Sequence, residues 1–141
     1  IAMALGGYVV EEMIFGDVST GPSNDLQVST NMARQMVTRY GMTDEFGPIA
    51  LEGDSGKALY GAAGVDDREY SENVGNKIDA EVQRIMSEAY DRVKVILTEN
   101  RKALDAVANK LLEVENLERE DYEKILEAHG IQVKSAEKSE V

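Results

Sequence analysis

The sequence predicts an all-α fold of about five helices with one long glycine-rich loop. Two observations carry this. Apolar residues recur every three or four positions through most of the chain, and glycine-bearing turns interrupt that period at intervals.

The first element covers residues 2 to about 14, with Leu5, Val9 and Met13 at helical spacing. Gly6 and Gly7 lie inside it and each cost roughly 1 kcal/mol against alanine, so they mark either the helix start or the close approach of another backbone. Gly16, Gly21 and Pro22 punctuate a turn over 16–22. A second helix follows from Ser23 or Asn24 to Tyr40, on a stripe of Leu26, Ala33, Met36 or Val37, and Tyr40, and Gly41 ends it as a C′ glycine. Residues 44–66 are too rich in glycine for a regular element, and they include Pro48. They read as an irregular connection, with a short extended piece at 48–51 and mobility expected around 53–64.

The longest periodic segment runs from about Asp67 to Leu97, on Val74, Ile78, Val82, Ile85, Ala89, Val93 and Ile96 or Leu97. Asp66 and Glu69 before it resemble a capping box. Asn100 can cap a following helix whose stripe is Leu104, Val107, Ala108, Leu111 and Leu112. A last short helix uses Tyr122, Ile125 and Leu126, and Gly130 stops it. The final stretch, "IQVKSAEKSEV" at 131–141, has no periodic apolar face and is expected to be a frayed tail.

Composition narrows the function. With 27 acidic and 15 basic residues the net charge is −12, which argues against nucleic acid as a partner, because phosphate backbones demand clustered Lys and Arg. The chain has no cysteine, so it has neither a disulfide framework nor a thiolate metal site. No apolar run approaches the roughly 20 residues that span a bilayer. The opening "IAMALGGYVVEEMIFG" has no basic n-region and no initiator Met, so it is not a signal peptide. It reads as though it begins within a helix, and a piece of a longer protein is the expectation.

No complete active site emerges from the residues alone. His129 is the one histidine, beside the end of the last helix, where a cation favours the helix dipole. A Ser–His–Asp triad has no supporting spacing or nucleophile elbow. "GDSGKALYG" contains a Gly–Lys pair but not the GxxxxGK[ST] frame of a P-loop. The acid-rich faces of the later helices read as solvated, laced by opposite charges at helical spacing. Two features stand above this background. Glu11 and Glu12 follow the apolar pair Val9 and Val10, where the bland reading is a solvated pair. Asp25 falls in the first turn of the second helix, where the bland reading is an acid favourable to the macrodipole.

These same residues carry a resemblance. "ALGGYVVEEMIFGDVSTGPSNDLQVSTNMARQMVTRYGM" closely resembles the FtsH family of membrane-bound, ATP-dependent zinc proteases, with its ALGGRxAEE(L/I)IFG helix, (V/S)TGASNDL turn and ARxMVTxxGMS stretch. The likeness continues through "GPIAL", "LYG", "YSE" and "NRKALDAVANKLLEVENLEREDY", and covers about residues 1–130. Tyr8 departs from a frequent Arg of the family, and Pro22 from a frequent Ala.

The resemblance implies that Asp25, in the SNDL-type motif, is the third ligand of one zinc. Two histidines of an HExxH helix supply the others, and the HExxH glutamate is the general base. Such a set leaves a fourth position open for water, whose pKa the metal lowers. Glu11, the first acid of the AEE motif, is implied to accept a hydrogen bond from a zinc-binding imidazole and so fix its orientation. HExxH, the P-loop module that would use ATP and Mg, and the transmembrane helices all precede these residues in the family. The chain is therefore expected to be an inactive, soluble C-terminal portion of the peptidase domain, over 1–130. Its parent would be a homohexamer that degrades unfolded or damaged proteins. It would be anchored in the membrane by its N-terminal segments, with the peptidase domain on the cytoplasmic side or the organelle equivalent. The competing class is a non-catalytic helical interaction module, a pseudoprotease or an adaptor.

Overall fold

A computed structural model describes residues 1–52 and 70–132. The described residues hold five helices and no strand: α1 (Gly6–Phe15), α2 (Ser23–Thr38), α3 (Glu72–Glu99), α4 (Arg101–Val114) and α5 (Arg119–Ala128). The chain divides into two compact units, residues 1–94 and 95–141.

In the first unit the buried apolar side chains are Leu5, Val9, Ala33, Val37, Ile78 and Val93. All six fall on the predicted stripes. α1 begins at Gly6 rather than at residue 2, with residues 2–5 in turns, and a Cβ on Gly6 or Gly7 would meet nothing within 4 Å. The glycines thus sit at the helix start. Gly16 closes α1 at φ +70, its N–H donating to the Glu12 carbonyl at 3.0 Å, the single-bond form of a left-handed cap.

α1 and α3 are joined through polar tips. Tyr8 meets Tyr90 edge to face, with centroids 6.3 Å apart. The Tyr90 hydroxyl donates to Glu12, and Lys94 donates to that hydroxyl at 2.9 Å. α3 starts one turn later than the periodicity suggests, because Ser71 caps it. Its Oγ accepts the Val74 N–H at 3.4 Å, and its carbonyl accepts that of Gly75 at 2.9 Å. The Asp66–Glu69 box, the "GDSGKALYG" stretch and the expected mobility at 53–64 lie outside the described residues.

α2 ends earlier than predicted, at Thr38, and Tyr40 is 59% exposed rather than part of the apolar stripe. Residues 48–51 form no extended strand; the Leu51 and Glu52 N–H groups instead both donate to the Thr38 carbonyl, at 2.7 and 3.1 Å. A polar network closes this end of α2. Arg34 donates to Glu52 at 3.0 Å and to the Tyr70 hydroxyl, while Thr38 and Tyr70 donate to Glu52 at 3.0 and 3.1 Å. Asp79 of α3 stands 3.7 Å from the same guanidinium.

Partial burial pushes the Glu52 carboxyl up, but hydrogen bonds from Arg34 and Thr38, the Arg34 charge and the Tyr70 hydroxyl outweigh it and hold Glu52 below its ordinary value of 4.5. The stabilisation from this depressed group is therefore complete above about pH 4.5 and is lost as the pH falls through the folded value. Glu52→Gln is expected to cost about 1 kcal/mol at pH 7, since the pair is partly solvated, and to flatten the acid side of the stability profile. Urea titrations from pH 3 to 7 read this directly; an unchanged profile would exclude the network as an acid-sensitive tie.

Ser29 on α2 is 1% exposed, and its Oγ has no hydrogen-bond partner among the described residues. A buried unpaired hydroxyl costs about 1–3 kcal/mol. Ser29→Ala, which keeps the volume nearly constant, is expected to raise stability by about 1 kcal/mol in chemical denaturation; a loss of that size would mean the hydroxyl is satisfied in solution.

In the second unit α4 packs on α5. The α4 stripe is only partly borne out. Leu104 and Val107 are half-buried, but Leu112 is 83% exposed, and the fully buried residue is the unpredicted Ala103. Asn100 occupies the N-cap position of α4 without a side-chain bond to it; its amide donates to the Ile96 carbonyl at 2.8 Å, closing α3. Gly130, at φ +78, ends α5 in a Schellman motif, with Gly130 N–H to Glu127 O at 2.9 Å and Ile131 N–H to Leu126 O at 3.0 Å. Charge pairs lace the outer faces as expected, for example Arg84 between Glu81 and Glu88, and Arg101 with Asp105. Among the described residues no helix is long and apolar enough to cross a membrane. Residues 133–141, most of the expected tail, lie outside the described ones.

Candidate metal centre

Asp25 is the third residue of α2, exposed, and its carboxylate makes no hydrogen bond or ion pair among the described residues. It does not cap the helix. The N-cap position belongs to Pro22, whose carbonyl accepts the Leu26 N–H at 3.0 Å, and no side chain caps that end. Pro22 is buried, at φ −80, so the ring fixes the backbone where the turn enters the helix. Asp25 also heads a helix ridge with Val28 and Met32, three and seven residues on, which are 48% and 46% exposed. A free carboxylate beside uncovered apolar side chains on a helix end is suited to meet another element.

Glu11 faces the turn rather than open solvent. Its Oε2 accepts the Ser19 N–H at 2.8 Å and its Oε1 the Ser19 hydroxyl at 3.1 Å, while the Gly21 N–H donates to Ser19 Oγ at 3.0 Å. Glu11 and Glu12 are both half-buried, and helical rotation sends the second to Tyr90 and Lys94 of α3. Neither is the solvated acid of the bland reading. Sequence reasoning missed Ser19; the signal was the Ser–Thr–Gly turn one helix length from an acid.

Asp25 offers one hard oxygen ligand, which suits zinc. The described residues contain no group of three His, Cys, Asp or Glu able to hold a metal ion, so a complete set needs ligands from elsewhere. His129 is engaged at the end of α5, where its Nδ1 lies 2.8 Å from the Ile125 carbonyl. A carbonyl only accepts, so Nδ1 carries the proton.

The family model described as "Peptidase family M41" matches residues 1–125. The chain belongs to peptidase family M41. Among the relatives of this M41 chain, the "ATP-dependent zinc metalloprotease FtsH" of Bacillus subtilis (strain 168) is 45% identical over 127 residues, covering 89% of this chain and 20% of that protein. The "ATP-dependent zinc metalloprotease FtsH 3" of Synechocystis is 44% identical over 128 residues, covering 89% of this chain and 21% of that protein. The Thermus thermophilus FtsH of the same description is 43% identical over 127 residues, covering 90% and 20%. The M41 chain thus spans about a fifth of the length of these relatives.

Proposed function

We propose that this chain contributes the carboxylate ligand, Asp25, to one catalytic zinc in an ATP-dependent metalloprotease. The observation that carries the reading is the carboxylate of Asp25, exposed on a rigid helix end and bonded to nothing within the described residues. Membership of M41 and the zinc-protease names of its relatives support it. Two histidines and the general-base glutamate come from an HExxH helix outside these 141 residues. Zinc, when bound, supplies Lewis acidity toward the peptide carbonyl and a water at the open position. Asp25 contributes charge and geometry, Glu11 steadies the turn and the imidazole beside it, and α2 holds the ligand in place.

By itself the chain is inactive, because one carboxylate cannot retain a catalytic zinc. The parent acts on unfolded or damaged proteins, delivered by an ATP- and Mg-using module in a homohexamer anchored in a membrane, with this domain on the cytoplasmic side or its organelle equivalent. The test is zinc content and peptide hydrolysis in the protein extended upstream through its HExxH segment, with Asp25 and with Asp25→Ala. About one zinc per chain, lost with hydrolysis on substitution, is the expected result. Zinc and hydrolysis surviving the change would remove Asp25 from the site. No zinc in either protein would make the chain part of a pseudoprotease, and the interaction-module reading would replace this one.

A further inference from the structure

We propose that Ser19 is a positioning residue for Asp25, held by Glu11 so that the turn delivers the carboxylate to one place; this rests on the zinc-ligand reading of Asp25. The Ser19 hydroxyl has one consistent polarity. It accepts the Gly21 N–H at 3.0 Å and donates to Glu11 Oε1 at 3.1 Å, while the Ser19 backbone N–H donates to Oε2 at 2.8 Å. One carboxylate on α1 therefore grips a single residue of the turn at two points, and a charged acceptor makes both bonds stronger than neutral ones. Gly21 fits tightly against this grip: a Cβ there would stand 3.2 Å from both Glu11 Oε1 and Ser19 Oγ. Pro22 then fixes φ, Ser23 starts α2, and Asp25 is the third helical residue. Little freedom is left between the gripped turn and the ligand. Among the described residues, the hydrogen bonds that tie this turn to α1 are this grip and the Gly16 N–H on the Glu12 carbonyl.

The measurement is zinc affinity by chelator competition, in the protein extended upstream through HExxH, with the cobalt(II) absorption spectrum as a report on ligand geometry. Ser19→Ala is expected to weaken zinc binding about 10–100-fold, the range for residues that orient a ligand, and to alter the cobalt bands. Ser19→Thr, which keeps the hydroxyl, is expected to restore both. Glu11→Gln combined with Ser19→Ala should cost less than the product of the two single changes, since both act through one grip. Should Ser19→Ala not fold, Gly21→Ala presses on the same two oxygens and should weaken zinc in the same direction. If Ser19→Ala and Gly21→Ala both bind zinc within about twofold of the parent while Asp25→Ala loses it, the positioning role is wrong and the ligand assignment stands. If Asp25→Ala keeps its zinc, the ligand assignment fails and this inference falls with it.

Discussion

Asp25→Asn, made in the protein extended through its HExxH segment, is expected to leave the fold almost untouched while removing most of the zinc and the hydrolysis. The two effects separate because the carboxylate bonds to nothing among the described residues. With zinc removed from both proteins by a chelator, only the interaction with the α2 dipole differs, about 0.3–1 kcal/mol, a shift of a few degrees in melting temperature at most; bound zinc adds its own stabilisation to the parent. The amide keeps the shape but carries no charge and is a poor zinc ligand. Metal polarisation is worth several kcal/mol in the transition state, so peptide hydrolysis should fall by about a thousandfold or more. Zinc analysis, an unfolded-protein substrate and a melting curve on one preparation decide it. A large drop in melting temperature between the two metal-free proteins would mean that Asp25 is structural, and retained hydrolysis would mean that it is not a ligand.

Gly41→Ala should be among the most damaging single changes to the fold. Gly41 sits at φ +58, where a side chain strains the backbone, and a Cβ would meet Gly47 O at 2.9 Å, Pro48 Cα at 3.0 Å and Ile49 N at 3.2 Å. All three are backbone atoms, so none can swing aside. The conformation alone costs about 1–3 kcal/mol for a residue other than glycine, and displacing the 47–49 segment adds to it. A total of about 3–4 kcal/mol is expected, large against ordinary point changes. Gly47→Ala is the matched control. Its φ is +62, yet its Cβ would meet nothing within 4 Å, so it should cost about 1 kcal/mol. Equal losses in the two variants would argue against the close approach at Gly41.

The helices are legible in the sequence wherever an apolar face alternates cleanly with a solvated one. Leu5, Val9, Ala33, Val37, Ile78 and Val93 are readable because burial and period agree there. Reading fails where a polar side chain takes a local role. Ser71, which no apolar stripe singles out, caps the described start of α3, and Asn100 turns back to α3 instead of capping α4. Spacing alone places Leu112 on a buried stripe, whereas α4 turns Ala103 inward. At the site, Asp25 and Glu11 stand out through motif resemblance, not through periodicity. Ser19 does not, because its importance arises from a contact eight residues away that no local rule requires.

The Arg34 network has a consequence for chain length. Glu52 and Tyr70 both reach one guanidinium, so the two ends of the 53–69 segment are pinned at a single point of α2. For a segment already closed at its base, doubling the number of residues costs only about 0.6 kcal/mol. Lengthening the chain between Glu52 and Tyr70 is accordingly expected to leave the Arg34 tie on the helix that carries Asp25 in place.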